Sequence, residues 1–530
     1  MAADQSLVNV PAIAIVSLTL LLLYKFLVYP ISISPLAKIP NAHPLSSITS
    51  LWILSVRYRQ RENRALQAAH AKYGPIVRLA PNELSVNCVE DGIRTIYAGG
   101  FEKSDWYTFF ENFDGVPNMF STLHSKPHSL RKRMLSNVFS KSYLQNSPAM
   151  SAIFVEVLDN RLLPILDKAA NASDPVEVHR VWESLAMDMI TAYTFGLTNF
   201  TNFLCEERKR TEFFSLYYSR HPYTFYAQEI PSFTAFLARF GIRLVPDEMI
   251  SANKILHGLC LEWCDAAEET IRRHRQTDSQ YANPAEEPVV FSQLYNAASA
   301  KSERRLDEQV PSVSKPPHST PRLEIASEIF DQLGAGFETT SIALTYITYY
   351  LSLQPHFQRM LRRELLSLPS SSKVSAKDVD ALPLLHALIL ETLRVQPSIP
   401  GAQPRVTPAS GTTLAGHANI PPGVRVNAQA YSLHRNADVF PDPLEWHPER
   451  WLSSPNDSKE ENEAMTARHR WFWAFGSGGQ MKYTLASVYT HYRTSVVDDA
   501  GIEQEDGYTA HPVGKRLMLR FEKVENGDGE

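Results

Sequence analysis

No cysteine follows Cys264 in this chain of 530 residues, so nothing in the C-terminal half supplies a thiolate to a metal or a thiol nucleophile to a substrate. The four cysteines, Cys88, Cys205, Cys260 and Cys264, are also too few and too scattered for the disulfide framework of a secreted protein, and a reducing, cytosol-facing setting fits them. Cys260 and Cys264 stand one helical turn apart. No second ligand pair follows them at metal-site spacing, so they read as small residues of a packed helix and no metal set is assigned. Excess positive charge is missing as well: the formal net charge is −5, which leaves no basic field for nucleic acid. There is no internal repeat and no glycine-rich dinucleotide fingerprint. With 44% hydrophobic and 10% aromatic residues, the chain has the material for one large core.

A long apolar run occurs once, from Val10 to Val28, interrupted by Lys25. It predicts a transmembrane anchor over residues 8–29, with the Lys25 ammonium reaching towards a headgroup. Lys25, Lys38, Arg57 and Arg59 follow the run while only Asp4 is charged before it, which places the bulk of the chain in the cytosol. A cleaved signal peptide is the alternative, and it would expose the glycosylation patterns at Asn171, Asn199 and Asn456. Pro30, Pro35, Pro40 and Pro44 mark a stiff connector over residues 30–46. One catalytic body is expected over residues 47–524, and a disordered acidic tail over residues 525–530.

Within the body, Ile76 to Leu79 and Pro81 to Val86 read as two short strands around a turn. Helical spacing of apolar residues runs from about Ser129 to Phe240 and from Met249 to Arg275. Gln276 to Arg322 is polar and rich in Pro and Ser, and predicts a mobile surface connection. A long helix follows from Leu323 to Leu353, stopped by Pro355, then helices over His356–Ser367 and Leu384–Val395. Thr412 to Val426 reads as a hairpin.

Ala335, Gly336 and Thr339 fall on or near one face of the long helix. Two small residues beside a hydroxyl open a groove against the backbone, where Glu338 and Thr339 supply an acid and a hydroxyl for moving protons. The same residues also read as a close helix contact. Glu391 and Arg394, three apart on a helix, meet as a charge-assisted pair, and Arg450 after Pro448 completes a three-way network. Two arginines on one carboxylate make a structural lock. His128 to Arg133 places cations on adjacent turns, and Arg405 follows Pro404; cations converging from separate elements suit a dianionic ligand, while each alone also reads as a solvated basic residue.

In their order and spacing, Ala335-Gly336-Phe337-Glu338-Thr339-Thr340, Glu391-x-x-Arg394, Pro448-Glu449-Arg450-Trp451 and Phe475-Gly476-Ser477-Gly478 resemble the cytochrome P-450 superfamily, the haem-thiolate monooxygenases, in the membrane-anchored fungal style. The resemblance covers nearly all of the chain after the anchor. It implies a mainly α fold with a smaller β region, preceded by one N-terminal transmembrane helix in the endoplasmic reticulum membrane. It also implies haem b, molecular oxygen, a small lipophilic substrate and a separate NADPH-dependent reductase, and fungal relatives of this style often serve secondary metabolism. By the same resemblance Ala335, Gly336, Glu338 and Thr339 lie over the oxygen side of the haem, with Thr339 hydrogen-bonding oxygen and Glu338 helping deliver protons. Glu391, Arg394 and Arg450 form the core lock. His128, Lys132 and Arg405 hold the propionates, although His128 stands where the family often has Trp and Lys132 where Arg is usual. Phe475 and Gly476 belong to the cofactor loop. Substrate contacts are expected from Asp114–Phe120 and Tyr217–Phe233.

After Gly478 the family pattern continues through Arg-x-Cys-x-Gly, and here it breaks. Ungapped counting puts Gln480, Lys482 and Thr484 at the Arg, Cys and Gly positions. A lysine ammonium has no lone pair for iron, and neutral lysine lacks the electron push of a thiolate. A gapped alignment instead matches Met481–Tyr489 to the helix that normally follows the cysteine loop, as though that loop had been cut out. Tyr483 and His491 are nearby ligand types, but both read as ordinary helix residues. Two expectations follow: a monooxygenase whose functional form includes the proximal cysteine, or a catalytically inactive protein of the same fold without stable haem.

Overall fold

The computed structural model describes residues 6–277, 281–307, 320–368, 376–474 and 479–524. They form a mainly helical body with a smaller β region, arranged around the helix Pro321–Leu353. Thr320 caps this helix, its side chain accepting from the Leu323 N–H, and Pro321 at the first position loses no intrahelical bond. Pro355 then opens the next helix, Pro355–Leu366, after Gln354 has left helical geometry. Ile325, Ile329, Leu333, Phe337, Leu344 and Leu351 are buried along its length, and this is why a 33-residue helix is stable in the middle of the molecule.

Its main partner is Val178–Phe195, whose Trp182 is fully buried and donates to Thr348 Oγ1 at 3.3 Å. The approach is close because Gly336 faces this helix: a Cβ there would lie 3.1 Å from Ile190 Cγ1. Gly334 admits Tyr217 in the same way, a Cβ being 2.9 Å from the phenol oxygen. The groove expected from Ala335 and Gly336 therefore needs correcting. Gly336 is occupied by helix packing, and only Ala335 is left on the exposed side.

The largest sheet has five strands in the order Ile76–Ala80, Glu83–Val86, Arg425–Asn427, Arg405–Val406, Glu102–Lys103. Its first two strands pair antiparallel with Ile76 opposite Val86 and are buried throughout. The hairpin is shorter than the sequence predicts. Thr412–Leu414 and His417–Ile420 turn through Ala415 and Gly416, both at positive φ, whereas Arg425–Asn427 leaves to pair parallel with Glu83–Val86. A three-stranded sheet joins Val176–Glu177, Met518–Lys523 and Tyr492–Asp498 and carries the C-terminal segment back to the helix pair.

The polar stretch expected to be a mobile connection contains a helix, Val289–Asp307. Val289, Val290, Phe291 and Leu294 are buried, and burying four apolar side chains outweighs the polar composition around them. The helix Asp247–Thr277 carries the buried Cys260 and Cys264. At the N-terminus, Ala12–Ile33 is long and apolar enough to cross a membrane and is exposed along its length except at Pro30. Pro30, which cannot donate to the helix ladder, lies where the turns widen between Tyr24 and Ile33, and its carbonyl accepts from Arg78 Nη1 at 2.8 Å. Leu36 and Ile39 then pack with Ile76, Leu84 and Val426, which seats the proline-rich segment on the sheet.

Candidate active site

Thr339 and Ala335 sit one turn apart on the exposed side of Pro321–Leu353, and the Thr339 hydroxyl donates to the Ala335 carbonyl at 2.8 Å. Ser398 Oγ donates to the Thr339 carbonyl at 2.7 Å, fixing this turn from the segment that follows Pro383–Val395. Glu338 leaves the helix about 100° away from Thr339 and is buried. Its carboxylate accepts from Tyr217 at 3.2 Å and pairs with His511 Nε2 at 2.9 Å, with His221 Nε2 at 3.8 Å. The acid and the hydroxyl are thus held by different partners and do not share one groove.

Burial would raise the Glu338 carboxyl, but the His511 hydrogen bond, the charges of His221 and His511 and the Tyr217 hydroxyl together hold it down at about 2, against an ordinary 4.5. A depressed carboxyl contributes stability that is fully present above its unfolded value and is lost as pH falls through its folded value. Melting temperature measured against pH is therefore expected to decline between about pH 4.5 and 2 in part through Glu338, and Glu338→Gln should flatten that portion of the acid limb.

The partners of Glu338 extend into a wider buried cluster. His179 Nδ1 lies 2.9 Å from Thr345 Oγ1, and Glu183 accepts from Tyr218 and, at 2.9 Å, from Arg180. Burial lowers His179 well below the ordinary imidazole value and raises Glu183. The contacts of His511, His221 and Tyr217 with Glu338 escape sequence reasoning because these residues come from 173, 117 and 121 positions away, and no local spacing announces the pairing.

The predicted cationic residues meet in part. Arg405 donates to Tyr107 at 2.8 Å and lies over the Tyr97 and Tyr107 rings. Burial first, then the charges of Lys103, Lys132 and Arg405, push His128 down to about 4, so His128 faces the cluster as a neutral ring. Lys132 is exposed. Lys103, which the sequence did not single out, donates to the Phe120 carbonyl at 2.6 Å, and burial brings it down to about 8. Among the described residues neither Lys103 nor Arg405 has a carboxylate within ion-pair distance, as a site for an anionic ligand requires. Beside them Trp106, Tyr107, Phe110, Phe120 and Tyr508 make an aromatic wall, with Phe110 and Phe120 rings 4.9 Å apart. Of the two segments expected to meet substrate, Phe120 joins this wall. In the other, Tyr217 is buried against Phe337 while Phe233 is exposed.

Glu391 is fully buried and accepts from Arg394 at 2.9 and 2.8 Å, from Arg450 at 3.0 Å, from Trp451 Nε1 at 2.9 Å and from the His447 N–H at 2.9 Å. Arg394 spends its remaining donors on the carbonyls of His434, Pro443 and Glu445. The chain then approaches the broken motif through Trp473, whose N–H donates to His434 Nε2 at 2.8 Å. Phe475 and Gly476 lie outside the described residues.

The helix Gly479–His491 resumes beyond them, and each candidate axial residue on it is engaged elsewhere. Lys482 donates to the Asp380 carboxylate and carbonyl at 2.8 Å. Tyr483 stacks on Phe154 at 4.1 Å, and His491 Nδ1 contacts the Ser487 carbonyl at 2.8 Å. The cysteines do not replace them: Cys88 is pushed up to about 11 by burial and Asp91, Cys205 is exposed, and Cys260 Sγ faces the Ala326 carbonyl at 3.7 Å. Tested against the haem that the sequence resemblance implies, the Ala335–Thr339 face and the Lys103–Arg405 cluster fit, and the axial position does not.

Comparison with known proteins bears on this arrangement. The family model for cytochrome P450 matches residues 43–480, ending where the motif breaks. The cytochrome P450 monooxygenase avaI of Aspergillus versicolor is 30% identical over 77% of this chain and 90% of its own length. The cytochrome P450 monooxygenase orf2 of Aspergillus niger is 26% identical over 86% of each chain, and the cytochrome P450 monooxygenase tazI of Aspergillus terreus is 28% identical over 81% and 80%.

Proposed function

The chain belongs to the cytochrome P450 family, whose relatives here are monooxygenases, and on that premise we propose that its body is built for haem-dependent oxidation of a small lipophilic substrate in fungal secondary metabolism. The form that performs it carries an Arg-x-Cys-x-Gly block between Gly479 and Met481, which this sequence omits. Residues 8–29 anchor the chain in the endoplasmic reticulum membrane, the connector 30–46 leads to the body 47–524 in the cytosol, and residues 525–530 form a tail. Electrons come from a separate NADPH-dependent reductase.

The observation that carries this proposal is the contrast between the two sides of the site. On one side Thr339 presents a hydroxyl whose hydrogen bond to Ala335 is free to be exchanged for one to a ligand. Glu338, on the same helix turn, is a carboxylate held ionised by His511 and Tyr217. Arg405, Lys103, Lys132 and the neutral His128 ring would hold the cofactor's carboxylates, the aromatic wall around Phe120 would exclude water, and Glu391 with Arg394 and Arg450 locks the surrounding frame. Haem, when bound through a thiolate, supplies oxygen activation. On the other side Lys482, Tyr483 and His491 are committed to protein contacts.

That commitment also supports a second reading, a catalytically inactive protein of this fold without stable haem. Sequencing transcripts across the codons for Gly479 to Met481 separates the two. An in-frame insert encoding Arg-x-Cys-x-Gly is expected for the monooxygenase, and its absence from every transcript leaves the inactive protein.

A further inference from the structure

His179, Glu183 and His511 are all buried, and each offers one ligand atom such that the three atoms lie within 4.8 Å of one another. His179 and Glu183 stand one turn apart on Val178–Phe195, so their ends come to the same place. His511 arrives from the C-terminal loop. His179 Nε2 lies 3.5 Å from Glu183 Oε1 without making a hydrogen bond, and His511 Nδ1 has no hydrogen-bond partner either. Both imidazoles are only 1% exposed. Leaving such a group unpaired costs about 1–3 kcal/mol, so two of them beside one carboxylate call for an occupant.

The other ring nitrogens are already fastened. Thr345 holds His179 Nδ1 at 2.9 Å and Glu338 holds His511 Nε2 at 2.9 Å, which is the outer hydrogen bonding that orients a metal-ligating imidazole. Glu183 is oriented by Arg180 and Tyr218, and the Tyr218 ring stands 5.4 Å from His511. Ligand atoms about 2.0–2.2 Å from a tetrahedral zinc ion lie about 3.4 Å from one another, close to the 3.5 Å between His179 Nε2 and Glu183 Oε1.

We propose that His179, Glu183 and His511 bind one divalent transition metal of the zinc class, which fastens the C-terminal loop to the central helix pair. Two imidazoles and a carboxylate are the donor set that such borderline ions select. The ion is structural and independent of haem, so the site exists whether or not the chain is a competent oxidase.

The full chain, purified in detergent without a tag and stripped with a chelator, is titrated with Co2+ alone and with Zn2+ alone. One equivalent of Co2+ is expected to give the visible bands of a four-coordinate nitrogen and oxygen site, and Zn2+ should displace it. X-ray absorption at the zinc edge of the loaded wild-type chain should report two imidazoles. His511→Gln, which removes a ligand, should weaken binding by more than the roughly 10–100-fold that loss of an outer hydrogen-bonding partner costs, while exposed His124→Gln should leave it unchanged. Absence of stoichiometric binding, or a zinc spectrum with fewer than two imidazoles, overturns the proposal and leaves a bridging water as the occupant. The absorption spectrum uses the wild-type chain, so a variant that fails to fold leaves the test decisive.

Discussion

Glu391→Ala is expected to cost about 3–5 kcal/mol, the loss seen when one partner of a buried ion pair is removed, and to leave little folded protein at physiological temperature. Glu391 and Arg394 are both fully buried and joined by two hydrogen bonds, with Arg450 on the same carboxylate. Removing the carboxylate strands the Arg394 guanidinium in a site whose other acceptors are carbonyls, and these do not neutralise it. It also frees Trp451 Nε1 and the His447 N–H, so the loss reaches three segments. Glu391→Gln keeps some of the acceptor geometry and discards the charge, so it should fall between wild type and alanine. Thermal or chemical unfolding of the three proteins checks the order.

Arg57→Met is expected to be nearly as severe, again about 3–5 kcal/mol, and to loosen a particular segment. Arg57 is 5% exposed and reaches Glu62 at 2.9 Å, Glu83 at 2.5 Å and Glu229 at 2.9 Å. Only Arg425 remains among the described cations to face Glu83 and Glu229, at 3.2 and 3.3 Å. Burial would raise Glu83, yet the charges of Arg425 and Arg57 bring it down to about 2; without Arg57 that balance moves upward. Such a carboxyl stabilises above its unfolded value and loses its contribution as pH falls towards its folded value, so the variant's deficit should be largest near neutral pH and shrink in acid. Glu229 follows the helix Thr224–Gln228 and also accepts from Trp106 at 2.8 Å. Hydrogen exchange should therefore quicken over residues 224–242 more than over Pro321–Leu353.

What the sequence makes legible here is local. The helix Pro321–Leu353 declares its end by Pro355, because a proline acts within a few residues, whereas its cap Thr320 lies in the stretch whose composition reads as a polar connection. The contact of Glu391 with Arg394 follows from a spacing of three on a helix. The rotation of that turn relative to its neighbours is not local: whether Gly336 faces a groove or Ile190 depends on where Val178–Phe195 lies. The same limit hides His511 from Glu338 and Lys103 from Arg405, since each pair is made only when distant segments dock. In the polar stretch before Arg322, four apolar residues at Val289, Val290, Phe291 and Leu294 are too short a signal to compete with the surrounding composition until the core receives them. The break after Phe475-Gly476-Ser477-Gly478 is legible because the family's motif has fixed residue types at fixed spacing.

Everything about the activity turns on the iron's axial ligand, and the carbon monoxide spectrum of the reduced, haem-supplemented full chain reports it directly. The unaltered chain is expected to give no thiolate-type Soret band, and the chain with an Arg-x-Cys-x-Gly block inserted between Gly479 and Met481 is expected to give one. A thiolate-type band from the unaltered chain would contradict the account, since Cys88, Cys205, Cys260 and Cys264 are then not the bystanders their positions make them.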